Sequence, residues 1–313
     1  MVEPFAGLRI FDAAAVREVL TYEAAIPVVR DAMIALSDGR VRQQLRSFIG
    51  LGEGRTFAIM PAALSEGGAF GAKLVSVFHD GRGRKAHEGL VVLFEGETGA
   101  PVCLADATEV TAIRTAAASA VATDALARPD AHVLAVLGTG RQAEAHIRAI
   151  SKVRPLKEVR VWGRNPQQAQ ALAERVGAIA ACLYAAVEGA DIVCTTTAAA
   201  DPILPGALVA PGVHVNVVGS SGPGQAEIDA DLVAKARFIV DHREHVLAHG
   251  GEFLRARAVG AVGDDHIAGE IGEVLVGRVP GRRTPDEVTV YKSLGHAAQD
   301  LAAAAWLYER SRT

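Results

Sequence analysis

The stretch that most constrains this chain is 133–149, which reads Val-Leu-Ala-Val-Leu-Gly-Thr-Gly-Arg-Gln-Ala-Glu-Ala-His-Ile-Arg-Ala. Five apolar residues, Val133 to Leu137, predict a strand buried on both faces. Gly138 and Gly140 supply a tight turn that lets a ligand approach the backbone closely. From Arg141 the apolar spacing becomes helical, with Ala143, Ile147 and Ile150 on one face. Strand, glycine turn and helix in that order make an anion cradle, because backbone N–H groups and the helix dipole point at one spot. A glycine pattern alone is weak. Its place between a predicted strand and a predicted helix makes it a dinucleotide site, with Gly138, Gly140, Arg141, Gln142 and Ala143 as the candidate phosphate-side residues.

Regular alternation surrounds this unit. Strands are expected at 159–162, 191–195, 213–218, 237–240 and 289–292, with helices at 141–152 and 166–176. That alternation implies a doubly wound parallel sheet. The chain before it reads differently. Strand-like runs at 46–49, 56–60, 70–78, 90–94 and 101–105 are joined by short glycine turns, which predicts a largely antiparallel or mixed sheet. Pro61 is expected to stop the second of these runs, and Pro27 to break or kink the helix that starts after Thr21. Residues 108–127 form an alanine-rich helix read as the bridge between two domains. Residues 297–309 form a last helix with an apolar face suited to packing on the first domain.

The bulk properties exclude several classes. Fifty per cent hydrophobic content in 313 residues is enough for a large core, and suggests two domains or one extended α/β domain. The net charge of −4 and the lack of a basic patch argue against nucleic acid as a partner. No uninterrupted apolar run is long enough to span a membrane. The first residues show no secretory pattern, and Cys103, Cys182 and Cys194 form no metal or redox motif, so a cytoplasmic location is expected. His242, His245 and His249 fall at helical spacing, but the stretch is charged and shows no outside ligand, so no metal is expected.

The second strand of the dinucleotide unit ends at Gly163-Arg164-Asn165, the position that reads the adenine ribose. An acidic residue there favours NAD, whereas arginine suits the extra phosphate of NADP. The expected cofactor is NADPH, with NADH as second choice.

Six blocks together resemble the ornithine cyclodeaminase/mu-crystallin family over almost the whole length. They are Met60-Pro-Ala, residues 71–78, residues 106–117, residues 138–143, residues 216–224 with Glu227-Ile-Asp229, and Lys292-Ser-Leu-Gly295. The resemblance implies a Rossmann doubly wound parallel sheet plus an α+β substrate-binding and dimerisation domain completed by the C-terminal helix. The domains are expected at 1–113 with 294–313, and at 114–293. It implies a homodimer that binds NAD(H) or NADP(H) and acts on a small amino or imino acid.

Carried over by position, Arg46 and Lys73 match residues that bind the substrate carboxylate, and Lys73 also lies near the reacting nitrogen. Arg114 matches a further carboxylate or cofactor contact, and Thr115 lies near the phosphates. Thr197, Val218, Gly219 and Ser293 match positions lining the nicotinamide side. His87 and Glu88 fall where mu-crystallin-like members approach the cofactor. The residues themselves support part of this. Lys73 sits in a strand run of small and apolar residues, where an ammonium needs a ligand or an acid as partner. Arg114 sits among alanines with few local partners. Arg46 is selected by the resemblance alone, since Arg40, Arg42 and Arg55 lie nearby.

One departure bears on mechanism. Cyclodeaminases of the family carry an aspartate where this chain has Ser221. A serine hydroxyl is a poor base near neutral pH. Oxidising an amine needs a base, whereas reducing a preformed imine needs a carboxylate clamp, a hydride donor and a proton donor. Ketimine reductase-like members also have serine there. The expected activity is therefore reduction of a small cyclic imino acid, with Lys73 or a water held by Ser221 giving the proton. Two other readings stand beside it: an ornithine cyclodeaminase or amino acid dehydrogenase with Glu88 supplying the missing carboxylate, and a non-enzymatic binder of NADPH and a small acid.

Overall fold

A computed structural model of the chain describes residues 7–79 and 85–312, with the side chains at 79 and 85–87 also outside the description. It divides into two compact units, Met1–Arg114 with His296–Thr313, and Thr115–Gly295.

The first unit runs β1 (Arg9–Phe11), α1 (Ala13–Val19), α2 (Tyr22–Ser37), β2 (Arg42–Gln43), β3 (Ser47–Gly52), β4 (Arg55–Ala63), β5 (Phe70–His79), β6 (Lys85–Phe94), β7 (Pro101–Asp106) and the first part of α3 (Ala107–Leu126). Its strands are ordered β1-β7-β6-β5-β4-β2, with β3 also paired to β4. β4 to β7 form an antiparallel meander, and β1 alone runs parallel to its neighbour. α11 (Ala297–Arg310) returns the end of the chain to this unit, packing on α2 and across β4 to β7. Leu301, Ala304 and Leu307 are buried there. Residue alternation along the strands gives the sheet two distinct faces. Met60, Lys73, Val91 and Ala105 face one another across four strands and are all buried, so the lysine sits in an apolar row.

Two prolines behave differently from expectation. β4 continues through Pro61, which pairs with Ala72 on one side. On the other side β3 reaches only Ile59 and β2 begins at Ala62, so the missing N–H falls in a gap where no ladder bond is made. α2 likewise runs unbroken past Pro27, capped by Thr21. The proline lies just beyond the first turn, where only one intrahelical bond is forgone.

The second unit takes the rest of α3, then β8 (Val133–Leu137), α4 (Arg141–Ile150), β9 (Glu158–Trp162), α5 (Pro166–Val176), β10 (Ile179–Ala180), α6 (Leu183–Val187), β11 (Ile192–Thr195) and β12 (His214–Val217). It continues with α7 (Ala230–Lys235), β13 (Arg237–Val240), α8 (Arg243–His249), α9 (Gly251–Ala258), β14 (Ile267–Glu270), α10 (Ile271–Leu275) and β15 (Thr289–Lys292). The sheet is parallel throughout, ordered β10-β9-β8-β11-β12-β15-β13-β14. Both faces are covered. Leu134 and Val136 join Ile147, Ile150 and Leu172 in one core, while Ala135 and Leu137 join Val215, Phe238 and Phe253 in the other. A parallel strand buried on both faces reads as an unbroken apolar run, which is why β8 stands out in the sequence. β10 and β14 were not anticipated, being two residues long or too mixed in composition to signal a strand. The molecule is therefore an α/β fold with a doubly wound parallel sheet.

α3 is buried along most of its length; Ala112, Ala116, Ala117 and Ala120 are each at most 3% exposed. Asp106 caps its start by accepting the Glu109 N–H at 2.7 Å. Alanine here keeps the helix slim as well as stable. Ala116→Leu is expected to lower stability by about 1–3 kcal/mol through overpacking, read as a lower urea midpoint at unchanged slope.

Candidate active site

The apolar row of the first unit places Lys73 beneath the C-terminal helix. Lys73 Nζ lies 3.3 Å from Asp300 Oδ1 on α11. Arg114 Nε donates to the same oxygen at 2.8 Å, and Arg114 Nη1 donates to Gln299 Oε1 at 2.8 Å. Gln299 is fixed in turn by Met33 of α2. Lys73 and Arg114 are about 5% exposed, and Gln299 and Asp300 are fully buried. These contacts assign Arg114 to the first unit, although the sequence reading put the boundary one residue before it. The ion pair anticipated as the alternative for Lys73 thus exists, and Asp300 is the acid that the sequence alone did not single out.

That pair does not exhaust the cations. Burial pushes the Lys73 amine from its ordinary 10.5 down to about 8; Asp300 opposes the shift, while the charges of Arg114 and Arg46 add to it. Lys73 thus feels two arginine charges beside the one carboxylate that it shares with Arg114. Lys73 Nζ has two further donor positions, and Arg114 Nη2 has no protein partner among the described residues. A surplus of buried donors and positive charge suits a small carboxylate.

In the second unit, the glycine turn opens onto a cleft of about 650 Å³ lined by Gly138, Gly140, Arg164, Asn165, Gln168 and Thr197, among others. Gly138 has φ +143, and a Cβ there would strike Thr196. Gly140 is different: its φ of −84 suits any residue, and a Cβ would meet nothing within 4 Å. The protein itself does not need glycine at 140, so the space is kept for something that approaches the backbone. Gly140 also begins α4 without a capping side chain. Ala143 is fully buried and packs the helix onto β8, so its role is close packing rather than contact with a ligand. Arg141 is exposed at the start of α4 and Gln142 is half-buried behind it.

Arg164 is exposed at the end of β9 and forms no ion pair among the described residues. Asn165 is occupied, since its Oδ1 accepts from the N–H groups of Gln167 and Gln168 as the cap of α5. Thr115 Oγ1 and Ser293 Oγ are buried without a hydrogen-bond partner among the described residues. Buried hydroxyls are normally satisfied, so two orphans at positions expected to meet a cofactor fit a polar ligand. The residues present therefore fit a dinucleotide.

Thr197 and Gly219, expected from the resemblance to line the nicotinamide side, are braced by a residue the sequence reading left without a role. Glu227 accepts from Thr197 N at 2.6 Å, Thr197 Oγ1 at 2.7 Å, Thr195 Oγ1 at 2.7 Å and Gly219 N at 2.6 Å. Burial raises its carboxyl above the usual range, opposed by these hydrogen bonds and by the charge of Lys292. Gly219 has no room for a Cβ, which would meet Thr197 and Glu227. Val218, beside it, is 9% exposed. Behind this lies a second buried carboxylate, Glu252, which accepts from Ser220 Oγ and Glu227 N and pairs with Lys292 at 2.8 Å. Ser221 follows on the chain; it is exposed, with no side-chain hydrogen bond among the described residues.

Two expected positions are less informative. Glu88 is exposed on β6, where its carbonyl accepts from Ser76 Oγ. The His87 side chain lies outside the described residues. Of the three histidines weighed as metal ligands, His242 is the extended cap before α8 and not part of its helical face. No cluster of three or more metal-ligating side chains occurs among the described residues, and no described helix is long and apolar enough to cross a membrane.

Comparison with known proteins accords with this geometry. The chain is 37% identical over 294 residues to the ketimine reductase mu-crystallin of Mus musculus, covering 91% of each chain. It is 36% identical over 290 residues to a Δ1-pyrroline-2-carboxylate reductase of Paracoccus denitrificans, covering 89% of this chain and 91% of the relative. Among solved structures, the Thermococcus litoralis Δ1-pyrroline-2-carboxylate reductase in complex with NADH and L-proline superposes with a TM-score of 0.91, at 29% identity and 97% coverage of both chains. The sequence pattern that defines the ornithine cyclodeaminase/mu-crystallin family matches residues 9–313, and the chain belongs to that family.

Proposed function

We propose that this chain is an NADPH-dependent reductase of a small cyclic imino acid, of the pyrroline-2-carboxylate or piperideine-2-carboxylate type. The observation that carries this reading is the buried Lys73–Asp300–Arg114 cluster, which offers spare cationic donors and an amine titrating near 8. Arg114 and Arg46 hold the substrate carboxylate. Lys73, charged at neutral pH, donates a proton to the imine nitrogen as C=N becomes CH–NH. A reduced nicotinamide supplies the hydride. The protein positions the reacting groups, and Glu227 keeps Thr197 and Gly219 in one arrangement.

Ser221 supports reduction over amine oxidation, because no carboxylate stands at that position to take a proton. The guanidinium of Arg164, which forms no ion pair among the described residues, supports NADPH over NADH, since it can grip the ribose phosphate with two hydrogen bonds. The first unit leaves Phe48, Ile49, Leu51 and Leu90 exposed on its sheet, which supports a second copy of this chain as the partner.

The direct test follows absorbance at 340 nm with pyrroline-2-carboxylate or piperideine-2-carboxylate. Faster oxidation of NADPH than of NADH is expected. Arg164→Ala should cost NADPH roughly tenfold to a hundredfold in kcat/KM and leave NADH unchanged. No oxidation of either cofactor, with ammonia released from ornithine and NAD, would overturn the reductase reading. Gly140→Val should abolish NADPH binding, measured by fluorescence, at unchanged thermal midpoint, because the added side chain fills only the cradle. Lys73→Met should lower kcat/KM by about a hundredfold or more. In the unaltered enzyme kcat/KM should hold below about 8 and fall above it, as Lys73 loses its proton. A profile flat to pH 10 would exclude Lys73 as the donor.

A further inference from the structure

The proposed reductase reading uses Lys73 as proton donor and Arg114 as carboxylate clamp. It leaves open what joins the two. Both donate to one and the same oxygen, Asp300 Oδ1, at 3.3 and 2.8 Å. We infer that Asp300 of the C-terminal helix is the positioning residue of this site, coupling the proton donor to the carboxylate clamp through that shared oxygen.

Three observations carry this. Asp300 is completely buried, and its other oxygen, Oδ2, is buried without a hydrogen-bond partner among the described residues. A carboxylate whose only role was to neutralise a lysine would be expected to use both oxygens. Here both cations crowd onto one, which fixes their spacing. The neighbouring residue Gln299 takes the far edge of the same guanidinium, Nη1, at 2.8 Å. The two consecutive residues of α11 thus grip Arg114 at Nε and Nη1 and leave Nη2 for a ligand. Finally, the charged groups acting on Lys73 are Asp300, Arg114 and Arg46, and only Asp300 favours its protonated form. Without that carboxylate, burial and two arginines would drive the amine toward neutrality, and the donor would be lost at the pH where it is needed.

Asp300 touches both cations, so its replacement changes proton donation and anion binding together. Gln299 touches Arg114 and not Lys73, so its replacement should change anion binding alone.

The test is a titration of the Lys73 amine by NMR on protein carrying ¹³C at the lysine ε-carbon, with Lys73→Met identifying the signal, alongside the pH profile of kcat/KM. In the unaltered chain the signal is expected to titrate near 8. In Asp300→Asn, which keeps the shape, it should titrate at least about one unit lower, and the alkaline limb of the profile should move with it. An unchanged titration in the Asn variant would overturn the inference and reduce Asp300 to a packing residue. Should that variant fail to fold, Gln299→Leu decides. A several-fold rise in KM with the Lys73 titration in place supports the division of labour, and a titration that moves with Gln299→Leu overturns it. The NMR readout needs no turnover. If the unaltered chain reduces no imine yet the Lys73 signal shifts on loss of Asp300, the positioning role stands and the reductase reading fails.

Discussion

The first unit depends on the burial of charge at one oxygen atom. Desolvating an ammonium and a guanidinium costs several kcal/mol each, and the cost is met only where an acid sits within hydrogen-bonding distance. Asp300 supplies it from the last helix, so α11 is held to the sheet by polar as well as apolar contacts. The arrangement is deliberately incomplete. Lys73 and Arg114 share one oxygen of one carboxylate, which leaves Lys73 donor positions and Arg114 Nη2 over, and the proposed anion site is built on that surplus.

The second unit solves a similar problem with two acids. Glu227 gathers donors from two separate loops, those after β11 and after β12, and Glu252 with Lys292 supports it from behind. Loops at the ends of parallel strands have no ladder to hold them, and buried carboxylates that accept backbone N–H groups do so instead. The glycine cradle needs no such brace. Gly138 follows β8 directly and its turn is fixed by the strand and by α4. The two halves of the dinucleotide cleft are thus held by different physics, one by backbone geometry and the other by buried charge.

These differences explain what the sequence made legible. β8, the glycine turn and α4 were readable because apolar runs, glycine positions and helical spacing are local signals. Lys73 and Arg114 were readable as charges in the wrong company. Asp300 was not, because an aspartate on an alanine-rich helix looks like an ordinary exposed acid until the sheet beneath it is known. Glu227 lies within a recognisable motif but shows no role in the sequence, since its four donors come from residues 195, 197 and 219. Pro61 misled for the same reason: whether a proline interrupts a strand depends on which neighbour needs its N–H, and that is a property of the sheet. Asn165, read as a cofactor contact, lines the cleft and also caps α5 through its Oδ1, a second role that the sequence reading did not include.

The position of β15 has a consequence for how the chain is made. It is the last strand in sequence, yet it lies between β12 and β13 in the middle of the parallel sheet. Until residue 292 has left the ribosome, β12 and β13 each present an unpaired edge, and α11 is not yet available to cover the sheet of the first unit. The parallel sheet can therefore close only once β15 is made, and the first unit only after α11 has followed it. A chain terminated shortly before β15 would be left with two open edges rather than a smaller stable domain, and such edges favour association with other chains over folding.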